Sequence, residues 1–214
     1  MYKYYLFDFD GTLVDSMPYW SKIMLDILKD YKVDYPDNIL DIVCPLGYQK
    51  TAEYFVNNLN LNENVDKLVK RMTSEANYNY INVIPIKEGV ENFLRNAKAK
   101  GVSLNVLTAS PHPMLDPCLK RVGIWDLFDN VWSCEDFSTT KTDPNIYQMV
   151  AQKLGSKPSE IAFFDDNINA VKTGKSQGLY TVGLFDEAGR GFTDDMKKTC
   201  EKYFNSFLDI KEEI

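Results

Sequence analysis

The sequence predicts an α/β fold: a doubly wound parallel sheet of Rossmann-like type, with an all-helical insertion after its first strand. Three observations predict it. Short apolar runs alternate with amphipathic stretches of about ten residues, the pattern of strands joined by helical crossovers. Glycines stand where most of those helices should stop. Between Ser16 and about Asn82 the strand signal vanishes while helical periodicity continues.

The first run, Tyr4–Phe7, ends at Asp8 and is followed by Asp10-Gly11-Thr12, a buried strand entering a turn. From Ser16, a candidate N-cap with Pro18 in the first turn, apolar positions recur at Trp20, Ile23, Met24, Ile27, Leu28 and Tyr31. A second helix follows Gly47 with Tyr48, Ala52, Phe55, Val56 and Leu59 on one face, and a third carries Val65, Leu68, Val69, Met72 and Ala76. From Pro85 onward helices and strands alternate. The helix with Val90, Phe93, Leu94 and Ala97 stops at Gly101 and leads into a strand at Val102–Thr108. Helix Met114–Val122 precedes a strand at Asn130–Ser133, and helix Pro144–Leu154 precedes a strand at Ile161–Phe164 that ends on Asp165. Helix Asn169–Gln177 and a fifth strand, Tyr180–Leu184, follow. The tail from Thr193, with Met196, Cys200 and Tyr203 in helical register, reads as one more helix docked on the sheet. Residues 1–15 and 86–214 are thus expected to form the core and residues 16–85 the helical insertion.

Composition excludes several classes of function. The chain has 214 residues, enough to bury a sizeable core, and its 13 Tyr, 12 Phe and 3 Trp argue against disorder. With 24 basic against 31 acidic residues the net charge is −7, and no basic stripe is available to follow a nucleic-acid backbone. No uncharged apolar run approaches the roughly 20 residues needed to span a bilayer, so no membrane partner is expected. An acid at Asp8 interrupts the opening segment too early for a secretory signal, which favours a cytoplasmic protein, expected as a monomer or weak homodimer. Cys44, Cys118, Cys134 and Cys200 form no Cys-x-x-Cys pair and read as reduced thiols. His112 is the one histidine; flanked by Pro111 and Pro113, it reads as a solvated loop residue, so any metal must be held by oxygen.

In a doubly wound sheet, ligands bind beyond the carboxyl ends of the strands. Those ends carry Asp8 and Asp10, Thr108 and Ser110, Lys141 in the loop after the third strand, and Asp165 and Asp166. Such a set suits phosphoryl transfer. Asp8 can attack phosphorus, and Asp8 with Asp166 offers the oxygen ligands that Mg²⁺ prefers. Thr108, Lys141 and the backbone N–H groups after Asp8 and Thr108, those of Phe9 and Ala109, can hold phosphate oxygens. Asp10 can protonate the leaving group and then activate water. Singly, each residue has a plainer explanation. Asp-x-Asp-Gly can be a capped loop, Thr108 a backbone-bonding hydroxyl, Lys141 a solvated lysine, and Asp165 or Asp166 a helix cap. The specificity lies in the ordered set.

Asp8-Phe-Asp10-Gly11-Thr12-Leu-Val-Asp15-Ser16, Val106-Leu-Thr108-Ala-Ser110, Lys141 and Phe164-Asp165-Asp166-Asn167 resemble the four motifs of the haloacid-dehalogenase-like (HAD) superfamily. The insertion resembles the small C1-type helical cap of its phosphoglycolate-phosphatase and β-phosphoglucomutase branch. The resemblance implies a Mg²⁺-dependent phosphatase acting on a small phosphorylated metabolite through an aspartyl-phosphate. Asp8 is then the nucleophile and Asp10 the acid/base, while Thr108 and Lys141 bind phosphate. Asp8, the Asp10 carbonyl and Asp166 bind the metal, with Asp165 as a further ligand or supporting acid. Two positions depart from the pattern: Thr142, not proline, follows Lys141, and Asn169 stands where many relatives have an acid. Pro45-Leu-Gly47-Tyr-Gln-Lys50 is expected to be a cap loop facing the active site, with Tyr48 and Lys50 as substrate candidates, and hinges are expected near Asp15 and Val83–Lys87.

Four other functions compete. A β-phosphoglucomutase-like isomerase usually carries a histidine soon after the first motif, where this chain has Met17-Pro-Tyr19-Trp20. Pro45-x-Gly47-x-x-Lys50 is similar to the Schiff-base segment of phosphonoacetaldehyde hydrolase, but that enzyme lacks the equivalent of Asp10. Haloacid dehalogenation needs neither Mg²⁺ nor Asp10. A non-catalytic binding module is disfavoured by the intact acidic set.

Overall fold

Strand β1 (Tyr4–Phe7) runs through the interior of a six-stranded sheet, with β2 (Ser103–Thr108) on one side and β4 (Ile161–Asp165) on the other. In the computed structural model, which describes residues 2–211 and 214, the strand order is β3-β2-β1-β4-β5-β6 and every pair is parallel. β3 is Asn130–Ser133, β5 Tyr180–Leu184 and β6 Lys202–Phe204. The order reverses between β1 and β4, so the carboxyl ends of those two strands border the switch-point crevice. Register is set by Phe7 opposite Val106 on one side and Phe164 on the other.

The alternation of β1 explains why both faces are covered. Tyr5 and Phe7 point to one face, where Phe7 stacks on Phe164 at 4.6 Å and meets Phe93 of α5 (Val90–Ala99) at 6.3 Å. Leu6 points to the other and packs with Leu107, Phe163 and Tyr147, the last from α7 (Asn145–Leu154). Burying each of these side chains contributes about 1.5–3 kcal/mol. Gly174 lets α8 (Ile168–Ser176) lie close on β4, since a Cβ there would come within 2.9 Å of the Phe163 ring.

The chain divides into two compact units, one of residues 1–15 and 85–214 and one of residues 16–84. The second contains α1 (Met17–Asp30), α2 (Ile39–Val43), α3 (Gly47–Asn58) and α4 (Val65–Asn82), and no strand among its residues. Trp20 stacks on Tyr48 at 4.2 Å and donates through Nε1 to the Tyr80 hydroxyl at 2.8 Å. On the sheet-bearing side, the two connections are tied together: Asp15 N–H donates to the Pro85 carbonyl and Lys87 N–H to that of Leu13, both at 2.9 Å. Among the described residues, no helix is long and apolar enough to cross a membrane. All four cysteines are free; burial pushes the Cys118 and Cys134 thiols up to about 11.

Four expectations are corrected. The tail is not one helix: α9 (Thr193–Thr199) ends before Cys200, and Tyr203 lies on β6, a sixth strand. Residues 45–50 are not a loop. Cys44–Leu46 form a 3-10 turn and Gly47 begins α3, which places Tyr48 and Lys50 in its first turn. Ser16 stands at the N-cap of α1, but its hydroxyl makes no capping bond and is buried without a partner. His112 is not a loop residue; it begins α6 (His112–Arg121), with Pro111 in the N-cap position, where a missing N–H costs nothing.

Candidate active site

Asp8 is the first residue past β1, and its N–H donates to the Phe164 carbonyl at 2.8 Å, which ties it to the end of β4. Asp165 closes β4, and Asp166 follows. One carboxylate oxygen from each of these three residues lies within 4.8 Å of the others. Into this group reaches Lys141, from the turn between a 3-10 turn at Cys134–Phe137 and α7. Its Nζ is 2.5 Å from Asp8 Oδ1 and 2.8 Å from Asp165 Oδ2. The Tyr147 hydroxyl stands 3.1 Å from both the Lys141 and Ala170 carbonyls, so α7 and α8 locate the lysine through its own backbone.

Burial and like charge dominate the electrostatics. Asp165 is fully buried, and desolvation pushes its carboxyl up to about 7 although the Lys141 ammonium pulls the other way. Burial also acts against the Lys141 ammonium, but Asp165 and Asp8 outweigh it and hold the group well above its ordinary range. Asp166 is raised well above the carboxylate range by desolvation, then by the neighbouring charges of Asp8, Asp165 and Asp186. Thr12 Oγ1, which donates to Asp166 Oδ1 at 2.9 Å, offsets only part of this.

A second cluster is built from the end of β2 and the turns that follow β1 and β2. The Ser110 hydroxyl donates to Asp10 Oδ2 at 2.5 Å, and Ser110 N–H donates to Thr108 Oγ1 at 3.0 Å. Thr108 is 1% exposed, at the head of β2. Gly11, at φ +77°, turns the chain so that its N–H meets the Val14 carbonyl at 3.0 Å. The Phe9 side chain is buried in that turn, and Ala109 is exposed after β2.

The sheet-bearing unit therefore brings Asp8, Lys141, Asp165 and Asp166 together, with Asp10 and Thr108 linked through Ser110. Tyr48 and Lys50 belong to the helical unit, where Tyr48 is half-buried against Trp20 and Lys50 is exposed. Asn169 is exposed in the first turn of α8, whose N-cap is Asn167. His112 lies between two carboxylates, 2.8 Å from Asp116 and 3.0 Å from Asp136, and both raise its pKa. Sequence reasoning missed Thr12, Lys87 and Asp186. Lys87 Nζ donates to the Gly11 carbonyl at 2.6 Å, to the Phe185 carbonyl at 3.1 Å and to Asp186 Oδ2 at 2.9 Å. Its distance of 76 residues from Gly11 left no spacing signal to find.

The donor set is all oxygen, compact and over-supplied with negative charge, which fits a hard divalent cation such as Mg²⁺. Asp165 already accepts from Lys141 on Oδ2 and from Asn167 N–H on Oδ1 at 2.7 Å. Asp166 accepts from Thr12 on Oδ1, and its Oδ2 faces Gly11. A carboxylate beside a buried ammonium can also meet an anionic electrophile, because the cation lowers the cost of the approach.

With this geometry in place, the sequence comparisons become specific. The model of the haloacid dehalogenase-like hydrolases matches residues 5–184, and the chain belongs to that family. It is 27% identical to hexitol phosphatase B of Escherichia coli (strain K12), over 83% of this chain and 81% of that protein. It is 26% identical to a phosphoglycolate phosphatase of Psychrobacter arcticus, over 84% of this chain and 81% of the other. Its fold is that of the crystal structure of a predicted phosphoglycolate phosphatase from Haemophilus somnus 129pt, with a TM-score of 0.81 and 23% identity, covering 98% of this chain and 96% of that one.

Proposed function

We propose that this chain is a Mg²⁺-dependent phosphatase that hydrolyses a small phosphorylated metabolite through an aspartyl-phosphate. The observation that carries it is the Asp8 carboxylate at the head of the switch-point strand, grouped with Asp165 and Asp166 and bonded to Lys141. The phosphatase names of the two relatives support the same class.

Asp8, the Asp10 carbonyl and Asp166 would hold the cation, whose chemistry there is to neutralise carboxylate and phosphate charge. Asp165, with both oxygens engaged, serves to anchor Lys141. An Asp8 oxygen attacks phosphorus as the bond to the ester oxygen breaks. Asp10, oriented by Ser110, donates its proton to the departing alcohol. Asp10 then takes a proton from water; the water oxygen attacks phosphorus, inorganic phosphate forms and the Asp8 carboxylate is released. Lys141, Thr108 and the N–H groups of Phe9 and Ala109 bear the equatorial oxygens through both displacements. Selectivity among metabolites is assigned to the helical unit, with Tyr48 and Lys50 as its candidates. An isomerase finds no support in Met17–Trp20, which contains no histidine.

The full chain with Mg²⁺ is expected to hydrolyse an aryl phosphate such as p-nitrophenyl phosphate, and Asp8→Asn to lose at least about 10³ in kcat, as loss of a nucleophile does. Turnover unchanged in Asp8→Asn would remove the mechanism.

A further inference from the structure

Lys87 is the third residue of the second segment of the α/β unit, and its ammonium joins two strand-end loops far apart in sequence. Three donors meet three acceptors: the Gly11 carbonyl after β1, and the Phe185 carbonyl and Asp186 carboxylate after β5. Asp186 is 5% exposed, and its other oxygen accepts from Ala188 N–H at 3.0 Å, while the Lys87 side chain is 21% exposed, so a part-buried ammonium partners a buried, hydrogen-bonded carboxylate.

What the lysine holds matters because Asp166 rests on the same turn. A Cβ at Gly11 would lie 2.5 Å from Asp166 Oδ2, so the carboxylate sits directly over the glycine. The next residue, Thr12, donates to Asp166 Oδ1 at 2.9 Å. The preceding residue, Asp10, supplies the carbonyl assigned to the cation. A displaced Gly11 carbonyl therefore moves three groups at once, and supporting bonds of this kind are commonly worth about 10–100-fold in metal affinity or activity.

We propose that Lys87 is a positioning residue: by gripping the Gly11 carbonyl and neutralising Asp186, it fixes the turn and with it Asp166. Its kinetic consequence rests on the phosphatase reading, whereas cation affinity tests it separately. The full chain is titrated with MgCl₂ by calorimetry in the parent, in Lys87→Met, in Lys87→Arg and in Lys87→Met/Asp186→Leu, each also followed by thermal unfolding. The double variant removes the carboxylate that Lys87→Met would leave buried and unpaired, while Gly11 still lacks its donor, and thermal unfolding reads whether the fold is retained. A cavity of about 220 Å³ beside Lys87, lined by Glu88, Leu184 and Phe207 among others, gives arginine room.

The double variant is expected to melt near the parent yet bind Mg²⁺ about tenfold or more weakly, with kcat on p-nitrophenyl phosphate reduced in proportion and KM near the parent's. Lys87→Arg should recover most of both. A double variant with parental Mg²⁺ affinity overturns the proposal, as does arginine failing to rescue in a chain that melts normally. If the parent hydrolyses no phosphate ester while Mg²⁺ affinity falls as described, the phosphatase reading fails and the positioning role stands.

Discussion

Gly11 occupies a left-handed conformation, φ +77°, and leaves space that the Asp166 carboxylate fills. Alanine there meets two separate costs. The backbone strain is about 1–2 kcal/mol, and a methyl 2.5 Å from Asp166 Oδ2 forces that side chain to rotate. Gly11→Ala is therefore expected to lose about 1–2 kcal/mol in urea unfolding and about tenfold in Mg²⁺ affinity. Parental affinity in a correspondingly destabilised variant would show that the turn does not seat Asp166. The acids at the ends of β1 and β4 and Thr108 were legible in the sequence because a strand delivers its last residues to a known edge, and Lys141 because it stands in the connection that follows β3 at that edge. The hydrogen bonds that set Asp165 apart from Asp166 were not, since the two are adjacent at the end of one strand and differ in what other segments bring to them. Lys87 and Asp186 were hidden for the same reason: neither lies in a motif, and they meet only after the sheet forms.

Between elements, His112 is the clearest titratable link. It starts α6 and bridges Asp116 of that helix to Asp136 of the 3-10 turn Cys134–Phe137, which precedes Lys141. Asp136 Oδ2 also accepts Ser133 N–H at 2.9 Å, so protonated His112 stiffens the start of that turn. Hydrogen bonds to Asp116, then Asp136, raise the histidine pKa in the folded chain above its ordinary 6.5. The folded state thus binds the proton more tightly than the unfolded state. The resulting stability is complete below the ordinary value and disappears as pH rises through the folded one. With the side chain 37% exposed, solvent screening limits the gain to about 1 kcal/mol at most. Urea unfolding of His112→Gln is expected to differ more from the parent near roughly pH 6 than near roughly pH 8.5; a constant difference would contradict the bridge. At this scale the sequence misled where proline and glycine were read as breakers. Pro111 is an N-cap residue before α6, and the helix expected after Gly47 starts at Gly47 itself, so Tyr48 and Lys50 stand on α3 and not in a loop. β6 escaped because three half-buried residues at an edge leave no alternation to detect.

For the whole molecule, α/β architecture was readable because β1 and β4 are apolar on both faces, which is possible only with helices on each side of the sheet. The same burial sets the last prediction. Three carboxylates crowd one end of the sheet, in a chain that already carries a net charge of −7, and Lys141 is the ammonium placed among them. A cation that binds only the folded site stabilises it by about 2.7 kcal/mol at a hundred times its Kd. For a domain of this size that corresponds to a rise of about 5–10 °C in melting temperature. Because the chain comprises two units, the rise belongs to the transition of residues 1–15 and 85–214, and a separate transition of residues 16–84 should stay in place. Diffuse screening of the acidic surface would also raise stability, so the comparison must be made at constant ionic strength and in Asp166→Asn. That variant, relieved of one repelling carboxylate, should melt at or above the parent in EDTA and gain little from MgCl₂. A rise in Asp166→Asn equal to the parent's would show that Mg²⁺ acts on the general field of the chain and not at the end of β4.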